Sequence, residues 1–402
     1  EAHAHTELGR PTMPRAAAQT HPAVLPRSDP ADYPAALDAL RQPGGPDDGF
    51  RRRLAAKAFR HTAVYDALIA DYLATEDAAW PTEMALGLRK VQELRYGENP
   101  QQQAAFYAAV QPGRGAAGLV GAQQLQGKPL SYNNILDGDA AWAVASGLPE
   151  GTVAIIKHTN PCGLARAENL LEAYDLALAG DPLAAFGGIV AVNAQVNGPL
   201  AERIVQRFFE IVLAPALSPE ALHIRAARPS LRVLSLPPSP ASGLAWRSVA
   251  GGVLIQQADR VDPGEVSQAH VVTRRAPSAT EWQALSFAWR AVRHVKSNAI
   301  VLVRDEGESE TPSLSLVGMG AGQPSRVASV EIAVKRAGAR SEGAVLASDA
   351  FFPKADGVEA AASAGVRAIV QPGGSRGDQE TIAAADVAGM AMVFTGKRHF
   401  LH

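Results

Sequence analysis

A single cysteine, Cys162, is present among 402 residues, which excludes an internal disulfide framework and any site built from several thiolates. An excess of charge of either sign is also lacking. The 38 basic and 40 acidic residues give a net charge of −2, so no overall basic field attracts nucleic acid or a membrane surface. No run of 18 uninterrupted apolar residues occurs, and the first nine residues lack a signal peptide's apolar core.

Hydrophobic residues make up 47% of the chain and charged residues 19%, which is ample for buried cores and excludes a wholly disordered protein. At roughly 150 residues per domain, this length favours two or three domains. We therefore expect a soluble, cytoplasmic, globular protein. Lysine is scarce, with eight among the 38 basic residues. Each lysine therefore merits attention, because arginine cannot be tuned to lose its proton.

The pattern of apolar and polar residues changes twice along the chain. The first 50 residues are rich in Pro, Ala and Arg and have weak periodicity, whereas apolar residues three or four apart predict a helix over 54–73. From residue 88, short apolar runs alternate with helical patterns, which indicates two α/β halves joined by a Pro- and Arg-rich connection at 224–245. The predicted strands are Val153–Ile156, Ile189–Val192, Ala299–Val303, Leu314–Val317, Val345–Ala347, Ala368–Val370 and Ala391–Phe394.

Lys157 and His158 stand side by side at the end of a predicted strand, in the polar segment 157–161. An imidazole can accept a proton near neutral pH, and an ammonium can stabilise a developing oxyanion. The pair therefore suits general-base catalysis with electrostatic assistance. The alternative interpretation is a surface lysine beside a histidine packed on Pro161.

Gly318, Gly320 and Gly322 alternate after a predicted strand and lead to Ser325 and Arg326 at a predicted helix start. Such a segment can bind an anion through backbone N–H groups and a guanidinium. It matches neither the dinucleotide fingerprint nor the P-loop, and a tight strand-to-helix turn without a ligand is the alternative. The segment 373–376 permits the same two interpretations.

Other catalytic patterns are missing from the sequence. It has no H-E-x-x-H zinc motif. Cys162 could be a nucleophile, but a small buried cysteine is the commoner case. A zinc nucleotide deaminase would need H-x-E and P-C-x-x-C, and Ala165 stands where the second cysteine of the latter would be.

Nine segments together resemble the AICAR formyltransferase/IMP cyclohydrolase family over about 300 residues. They are LRYGENPQQQAAFY (94–107), LSYNNILDGDAAW (130–142), IIKHTNPCGLA (155–165), DPLAAFGGIVAVN (181–193), KSNAIVLV (296–303), GMGAGQPSR (318–326), SDAFFPKADGVEAAASAGV (348–366), QPGGSRGD (371–378) and GKRHFLH (396–402).

The resemblance implies transfer of a formyl group from 10-formyltetrahydrofolate to the 5-amino group of AICAR ribotide in purine (IMP) biosynthesis, without a metal. It also implies a pair of cytidine-deaminase-like α/β subdomains lacking zinc, and a homodimer with shared sites. By position, the catalytic residues are Lys157, His158 and Asn298. The ribotide-binding residues are Arg95, Tyr96, Gly187, Glu210, Asn298, Arg326 and Arg398. The folate-binding residues are Val327, Phe351, Asp356, Ser375 and Arg376.

Residues 6–24 and 51–73 resemble the closing part of the family's cyclohydrolase domain. We therefore expect 1–75 to be a remnant of that methylglyoxal-synthase-like domain. The transformylase domain would span 76–402, with subdomains at about 88–225 and 270–402. Gln19 stands where the family carries a functional lysine, so we expect no IMP cyclohydrolase activity. The alternatives are a bifunctional enzyme that retains this activity and a non-catalytic ligand-binding paralogue.

Overall fold

The computed structural model describes residues 7, 9–74, 80–110, 117–237, 243–307 and 311–402. It divides into two compact units, the first comprising Glu1–Arg95 and Gln103–Ala116 and the second Tyr96–Gln102 and Ala117–His402. In the described part, no helix is both long enough and apolar enough to cross a membrane.

In its described residues, the first unit contains three α-helices and a two-stranded antiparallel sheet. Its elements are α1 (Gly9–Gln19), α2 (Tyr33–Arg41), α3 (Asp48–Leu73), β1 (Leu88–Leu94) and β2 (Ala104–Ala109). The expected helix therefore begins earlier than residue 54, because the Asp47 carboxylate accepts the Phe50 N–H at 2.6 Å and caps it. The small side chains of Ala18, Ala55 and Ala58 form the buried contact in this unit. Weak periodicity before residue 50 concealed α1 and α2.

The second unit is built of interspersed helices and strands. Its helices are α4 (Tyr132–Ser146), α5 (Leu170–Gly180), α6 (Gly198–Val205), α7 (Pro219–Ile224), α8 (Ala279–Val292), α9 (Arg326–Ala337), α10 (Asp356–Ser363) and α11 (Asp378–Val387). Its strands are β3 (Gln123–Gln126), β4 (Thr152–Lys157), β5 (Asn160–Arg166), β6 (Ile189–Val192), β7 (Ile211–Ala214), β8 (Arg232–Ser235), β9 (Leu244–Val249), β10 (Gly252–Gln257), β11 (His270–Val271), β12 (Ile300–Asp305), β13 (Leu314–Gly320), β14 (Val345–Ser348), β15 (Ala368–Gln371) and β16 (Ala391–Phe394).

Twelve of these strands form one mixed sheet in the order β11-β16-β15-β14-β12-β13-β5-β4-β6-β7-β8-β3. The predicted α/β class is confirmed. The strands of this sheet that were not predicted are β3, β5, β7, β8 and β11. Pro161 and Gly163 disguise β5, and β8 lies inside the expected connection at 224–245. The two halves of the sheet join where β13 pairs with β5 through Leu314–Arg166 and Ser315–Ala165.

Three apolar clusters cover the two faces of the sheet. One contains α4 and α8 and packs against strands of both halves, whereas the other two lie under α5–α7 and under α9–α11. Ser131 and Ser278 begin α4 and α8 with reciprocal capping boxes. Trp289 of α8 is fully buried inside this layer.

Candidate active site

The chemistry-bearing segments of the second unit meet at one edge of the large sheet. Strand β4 ends there at Lys157, and its antiparallel neighbours β5 and β6 therefore begin there. Strand β7 is parallel to β6 and begins at the same edge, directly after Glu210. This half of the edge collects Lys157, His158, Gly187 and Glu210.

The other half of the sheet brings its own residues to the same edge. Because β13 is antiparallel to β5, it ends there, and β12 begins there after Asn298. Strand β14 is antiparallel to β12, and β15 and β16 are parallel to β14, so all three end there. The residues that follow these strand ends are Arg326, Val327, Phe351, Asp356, Ser375, Arg376 and Arg398.

Strand spacing sets the separations along this edge. Neighbouring strands lie about 4.8 Å apart, so the three steps from β4 to β12 amount to about 14 Å and the six steps to β16 to about 29 Å. In the described part of the chain, no hydrogen bond joins the Lys157 segment directly to Asn298 or Arg326. The catalytic and folate-assigned residues of one chain thus share an edge but not a single cluster.

His158 lies at the tip of a two-residue hairpin turn. Lys157 pairs with Asn160, and the two central residues have positive φ, 50° at His158 and 63° at Thr159. Positive φ at both central residues is the geometry of type I′ turns, and it is unusual for a β-branched threonine. The Asp137 carboxylate accepts the Thr159 N–H at 2.8 Å, and the Asn160 side chain donates to the His158 carbonyl. The turn therefore presents an exposed imidazole on a fixed backbone.

Lys157 is directed toward Gly187 by a backbone contact. Its ammonium donates to the Phe186 carbonyl at 2.6 Å. Gly187 has φ of +70°, and a Cβ added there would lie 3.2 Å from Lys157 Nζ. The Gly187 N–H donates to the Phe208 carbonyl. Glycine at this position thus leaves room for the lysine head group at the sheet edge.

Arg326 is the centre of a buried polar cluster. Its guanidinium donates to Asp349 at 2.6 Å, to Ser348 Oγ at 2.7 Å and to Asn298 Oδ1 at 2.7 Å. The Asn298 side-chain N–H donates to the Gln323 carbonyl at 2.8 Å. The Asp349 side chain is fully buried, so the positive charge of Arg326 already has an anionic partner. The cluster fixes the Asn298 amide between donor and acceptor.

The structure gives the remaining ribotide-assigned residues different settings. Arg398 is exposed and lies over the Phe400 ring, 4.8 Å from its centroid. Glu210 accepts a 2.6 Å hydrogen bond from Arg232, so its charge is paired within the protein. Arg95 lies in the first unit, whereas Tyr96 lies in the second.

The folate-assigned residues lie at the ends of β14 and β15 and at the start of α9. Phe351 is 38% exposed, and Val327 is half-buried beside Arg326. Asp356 is the first residue of α10, and its carboxylate accepts the Gly357 N–H at 2.7 Å. The N-cap position of α10 is occupied by Ala355, which makes no side-chain hydrogen bond there.

The loop after β15 carries the other two folate-assigned residues. Ser375 Oγ accepts the Gly377 N–H, and the Ser375 N–H donates to Asp378. Arg376 is exposed.

The glycine-rich segment is partly strand rather than loop. Gly318 and Gly320 belong to β13, where added Cβ atoms would lie 2.2 Å from the Ala333 carbonyl and 1.9 Å from the Ser329 carbonyl. These two glycines allow α9 to pack on β13, which is the ligand-free interpretation. Gly322 alone has positive φ.

Cys162 is half-buried and packs against the apolar cluster under α5–α7. Burial raises the pKa of its thiol to about 12, which argues against a nucleophile. A cavity of about 270 Å³ lies beside it, between Lys157 and the strand residues Leu316–Met319.

Two residues that hold the candidate catalytic and binding side chains in place were not predicted from the sequence. Asp349 lies in the segment 348–366, which the resemblance included, but its role comes from its ion pair with Arg326, 23 residues earlier in the chain. Asp137 lies on α4 and supports the hairpin from a distance of 22 residues. Neither shows a local pattern. In the described ranges, no group of three or more His, Cys, Asp or Glu side chains is arranged to hold a metal ion.

Similarity to known proteins places the chain in a class of purine-biosynthesis enzymes. The chain belongs to the AICARFT/IMPCHase bienzyme family, whose profile matches residues 17–336, so the predicted resemblance is confirmed. It is 45% identical over 399 residues to the bifunctional purine biosynthesis protein PurH of Bacillus cereus strain B4264, covering 98% of this chain and 76% of the relative. The PurH proteins of Bacillus anthracis and of Bacillus thuringiensis subsp. konkukian match with the same identity and coverage.

Proposed function

We propose that this chain transfers the formyl group of 10-formyltetrahydrofolate to the 5-amino group of AICAR ribotide, in the cytoplasm, as a step of purine biosynthesis. The observation that carries the proposal is the Lys157–His158 hairpin at the sheet edge that also holds Asn298 and Arg326. Family membership independently favours the same reaction.

The hairpin supplies the groups that this reaction needs. The 5-amino group is conjugated with the imidazole ring and is a poor nucleophile, so its proton must leave as it attacks the formyl carbon. His158 accepts that proton as general base. Lys157 and the amide of Asn298 stabilise the oxyanion of the tetrahedral intermediate, a kind of contact worth roughly 3–4 kcal/mol per donor.

Ribotide binding is assigned to Arg95, Tyr96, Gly187, Glu210, Asn298, Arg326 and Arg398. Arg398 is exposed, so its guanidinium suits the phosphate dianion. Arg326 is already paired with Asp349, and a role toward the carboxamide through Asn298 fits its buried position better. The exposed Arg398 and the buried Arg326 are thus assigned different roles in ribotide binding.

Folate binding is assigned to Val327, Phe351, Asp356, Ser375 and Arg376. The exposed ring of Phe351 offers an apolar wall, and the Asp356 carboxylate complements the N–H donors of the pterin's amino-pyrimidine edge. The halves around the β5–β13 junction correspond to the pair of cytidine-deaminase-like subdomains in this proposal.

A homodimer with shared sites accommodates the separations along the edge. About 14 Å between β4 and β12 is long for one tetrahedral centre contacted by side chains of both strands. A second copy can bring its own Asn298 and Arg326 cluster to the Lys157 hairpin. Sedimentation that shows an active monomer would contradict this part of the proposal.

Ring closure to IMP is outside the proposed activity because Gln19, exposed at the end of α1, carries neither a charge nor a transferable proton. The purified chain is given formyl-AICAR ribotide, and IMP formation is compared with the uncatalysed rate. Turnover to IMP would show that the cyclohydrolase activity is present.

The main experiment mixes the purified chain with AICAR ribotide and 10-formyltetrahydrofolate and follows the loss of the formyl-folate absorbance. We expect turnover that requires both substrates. A chain that binds the ribotide but produces no tetrahydrofolate would instead be the non-catalytic paralogue.

A further inference from the structure

A buried histidine outside the assigned residues holds the last residues of the chain. The His399 side chain is 2% exposed, with Nδ1 2.7 Å from Asp259 Oδ2 and Nε2 3.0 Å from Glu265 Oε2. Its ring meets the Trp289 ring edge-on at 5.2 Å. A neutral imidazole has one N–H, whereas two carboxylates need a donor on each nitrogen. The geometry is therefore that of an imidazolium.

The same acidic segment also holds Lys397. Its ammonium donates to Asp262 and to Glu265. Arg398 thus stands between two residues whose side chains are fixed on segment 259–265. These contacts fix the position of the Arg398 backbone and do not involve the Arg398 guanidinium.

Backbone contacts fasten this segment to the Arg326 cluster. The His399 N–H donates to the Asp349 carbonyl at 2.9 Å, and Asp349 is the ion-pair partner of Arg326. The Ser297 N–H donates to the Leu401 carbonyl at 2.8 Å. The segment that carries Arg398 is thereby fixed next to the proposed ribotide site.

The titratable and charged groups near His399 lie on two neighbouring elements. Segment 259–265 supplies Asp259 and Glu265, while the end of α8 supplies Arg293, which donates to the Asp259 carbonyl at 2.9 Å, and His294. Burial alone would lower the pKa of His399, but the hydrogen bonds to Asp259 and Glu265 outweigh it and raise the pKa. The charged ring therefore persists above the ordinary range of histidine.

We propose that His399, as an imidazolium, is a positioning residue that holds Arg398 at the ribotide phosphate, so that ribotide binding weakens when His399 loses its proton. The inference rests on the proposed function, specifically on the assignment of Arg398. Deprotonation leaves one carboxylate without its N–H donor, which weakens the side-chain attachment of the C-terminal segment to segment 259–265.

The experiment measures KM for AICAR ribotide and kcat from pH 5.5 to 9 with saturating 10-formyltetrahydrofolate. The variants are His399→Gln and, as matched control, His270→Gln, which changes an exposed histidine on β11. We expect KM of the wild type and the control to rise about tenfold as His399 deprotonates, whereas His399→Gln has the high KM at every pH. Its kcat stays within about twofold. Ionisation of the ribotide phosphate affects KM of all three proteins equally, so it cancels when the KM of each variant is divided by that of the wild type at the same pH.

Two further variants separate the possible failures. If Arg398→Ala leaves KM unchanged, the ribotide assignment itself is wrong. If Arg398→Ala raises KM but His399→Gln follows the wild-type profile, only the positioning role is overturned. If His399→Gln does not fold, the test uses Asp259→Asn. Removing this carboxylate should shift the rise in KM to lower pH. If the pH at the midpoint of the KM rise does not move, the proposal is wrong.

Discussion

Among single side chains, His158 offers the sharpest test because its backbone conformation narrows the choice of substitution. Asparagine adopts positive φ more readily than most residues, so His158→Asn removes the imidazole and keeps the turn. We expect kcat to fall by about 10²-fold or more, the range of a general base, with the melting temperature nearly unchanged. Steady-state kinetics and thermal denaturation measure the two effects.

The control for this variant is Thr159→Gly, which relaxes the positive φ at the neighbouring position and leaves the base in place. Its kcat should stay within a few-fold of the wild type. A His158→Asn enzyme with near-normal turnover would rule out His158 as the base.

Gly187 is a second position where one added methyl group is informative. In Gly187→Ala, the Cβ meets Lys157 Nζ at 3.2 Å in addition to the strain of φ +70°. Gly389 has a similar φ of +65° with nothing within 4 Å of an added Cβ, so Gly389→Ala isolates the backbone strain. We expect both variants to lose about 1 kcal/mol of stability or more, and only Gly187→Ala to lose kcat. Equal kcat values in the two variants would show that catalysis does not depend on the position of the Lys157 ammonium beside Gly187.

The start of α9 depends on a buried ion pair. In Asp349→Ala, the Arg326 charge is left without its carboxylate, and such losses cost about 3–5 kcal/mol. Arg336 at the other end of the same helix pairs with Asp181 while two-thirds exposed, so Arg336→Ala should cost no more than about 1 kcal/mol. Urea denaturation compares the two variants. Similar losses would mean that the Arg326 cluster contributes little to folding.

Elements with a clean local pattern could be predicted from the sequence, and elements defined by distant partners could not. The apolar runs at 189–192 and 391–394 are strands with the expected bounds. Strand β5 was missed because its pairing with β4 and β13, rather than its composition, makes Asn160–Arg166 extended. Helix propensity and periodicity carry no information on such pairing.

The candidate site divides in the same way. Lys157 and His158 stood out as an adjacent pair, yet the positive φ values that expose the imidazole arise from the hairpin and from Asp137 on α4. The carboxylate of Asp349 acquires its role only beside Arg326. Local patterns thus identified the reacting groups, whereas the groups that hold them required the fold.

The molecule as a whole should have its highest stability near pH 6.5. His399 has a raised pKa, so its contribution is complete below 6.5 and is lost as the pH rises through the folded-state value. His294 has its pKa lowered to about 3 by burial and by Arg293, so stability is lost as the pH falls below 6.5. Glu265, whose pKa is lowered to about 2 because hydrogen bonds from Trp289 and His399 outweigh burial, adds a further loss below 4.5.

Melting temperatures across pH 3–9 measure this profile. His399→Gln should flatten the alkaline side, and His294→Leu the acid side between 6.5 and 4.5. A stability maximum above pH 8 would contradict the assignment of His399 as a charged buried group.

The junction between β5 and β13 has a consequence for behaviour in the cold. Two residue pairs join the backbones of the two halves there, whereas the apolar layer of α4 and α8 spans the junction over many side chains. Attraction between apolar groups weakens on cooling, while backbone hydrogen bonds do not depend on temperature in this way. Low temperature would therefore loosen the molecule first along this line, separating the half that bears His158 from the half that bears Arg326 while each half keeps its own strands paired.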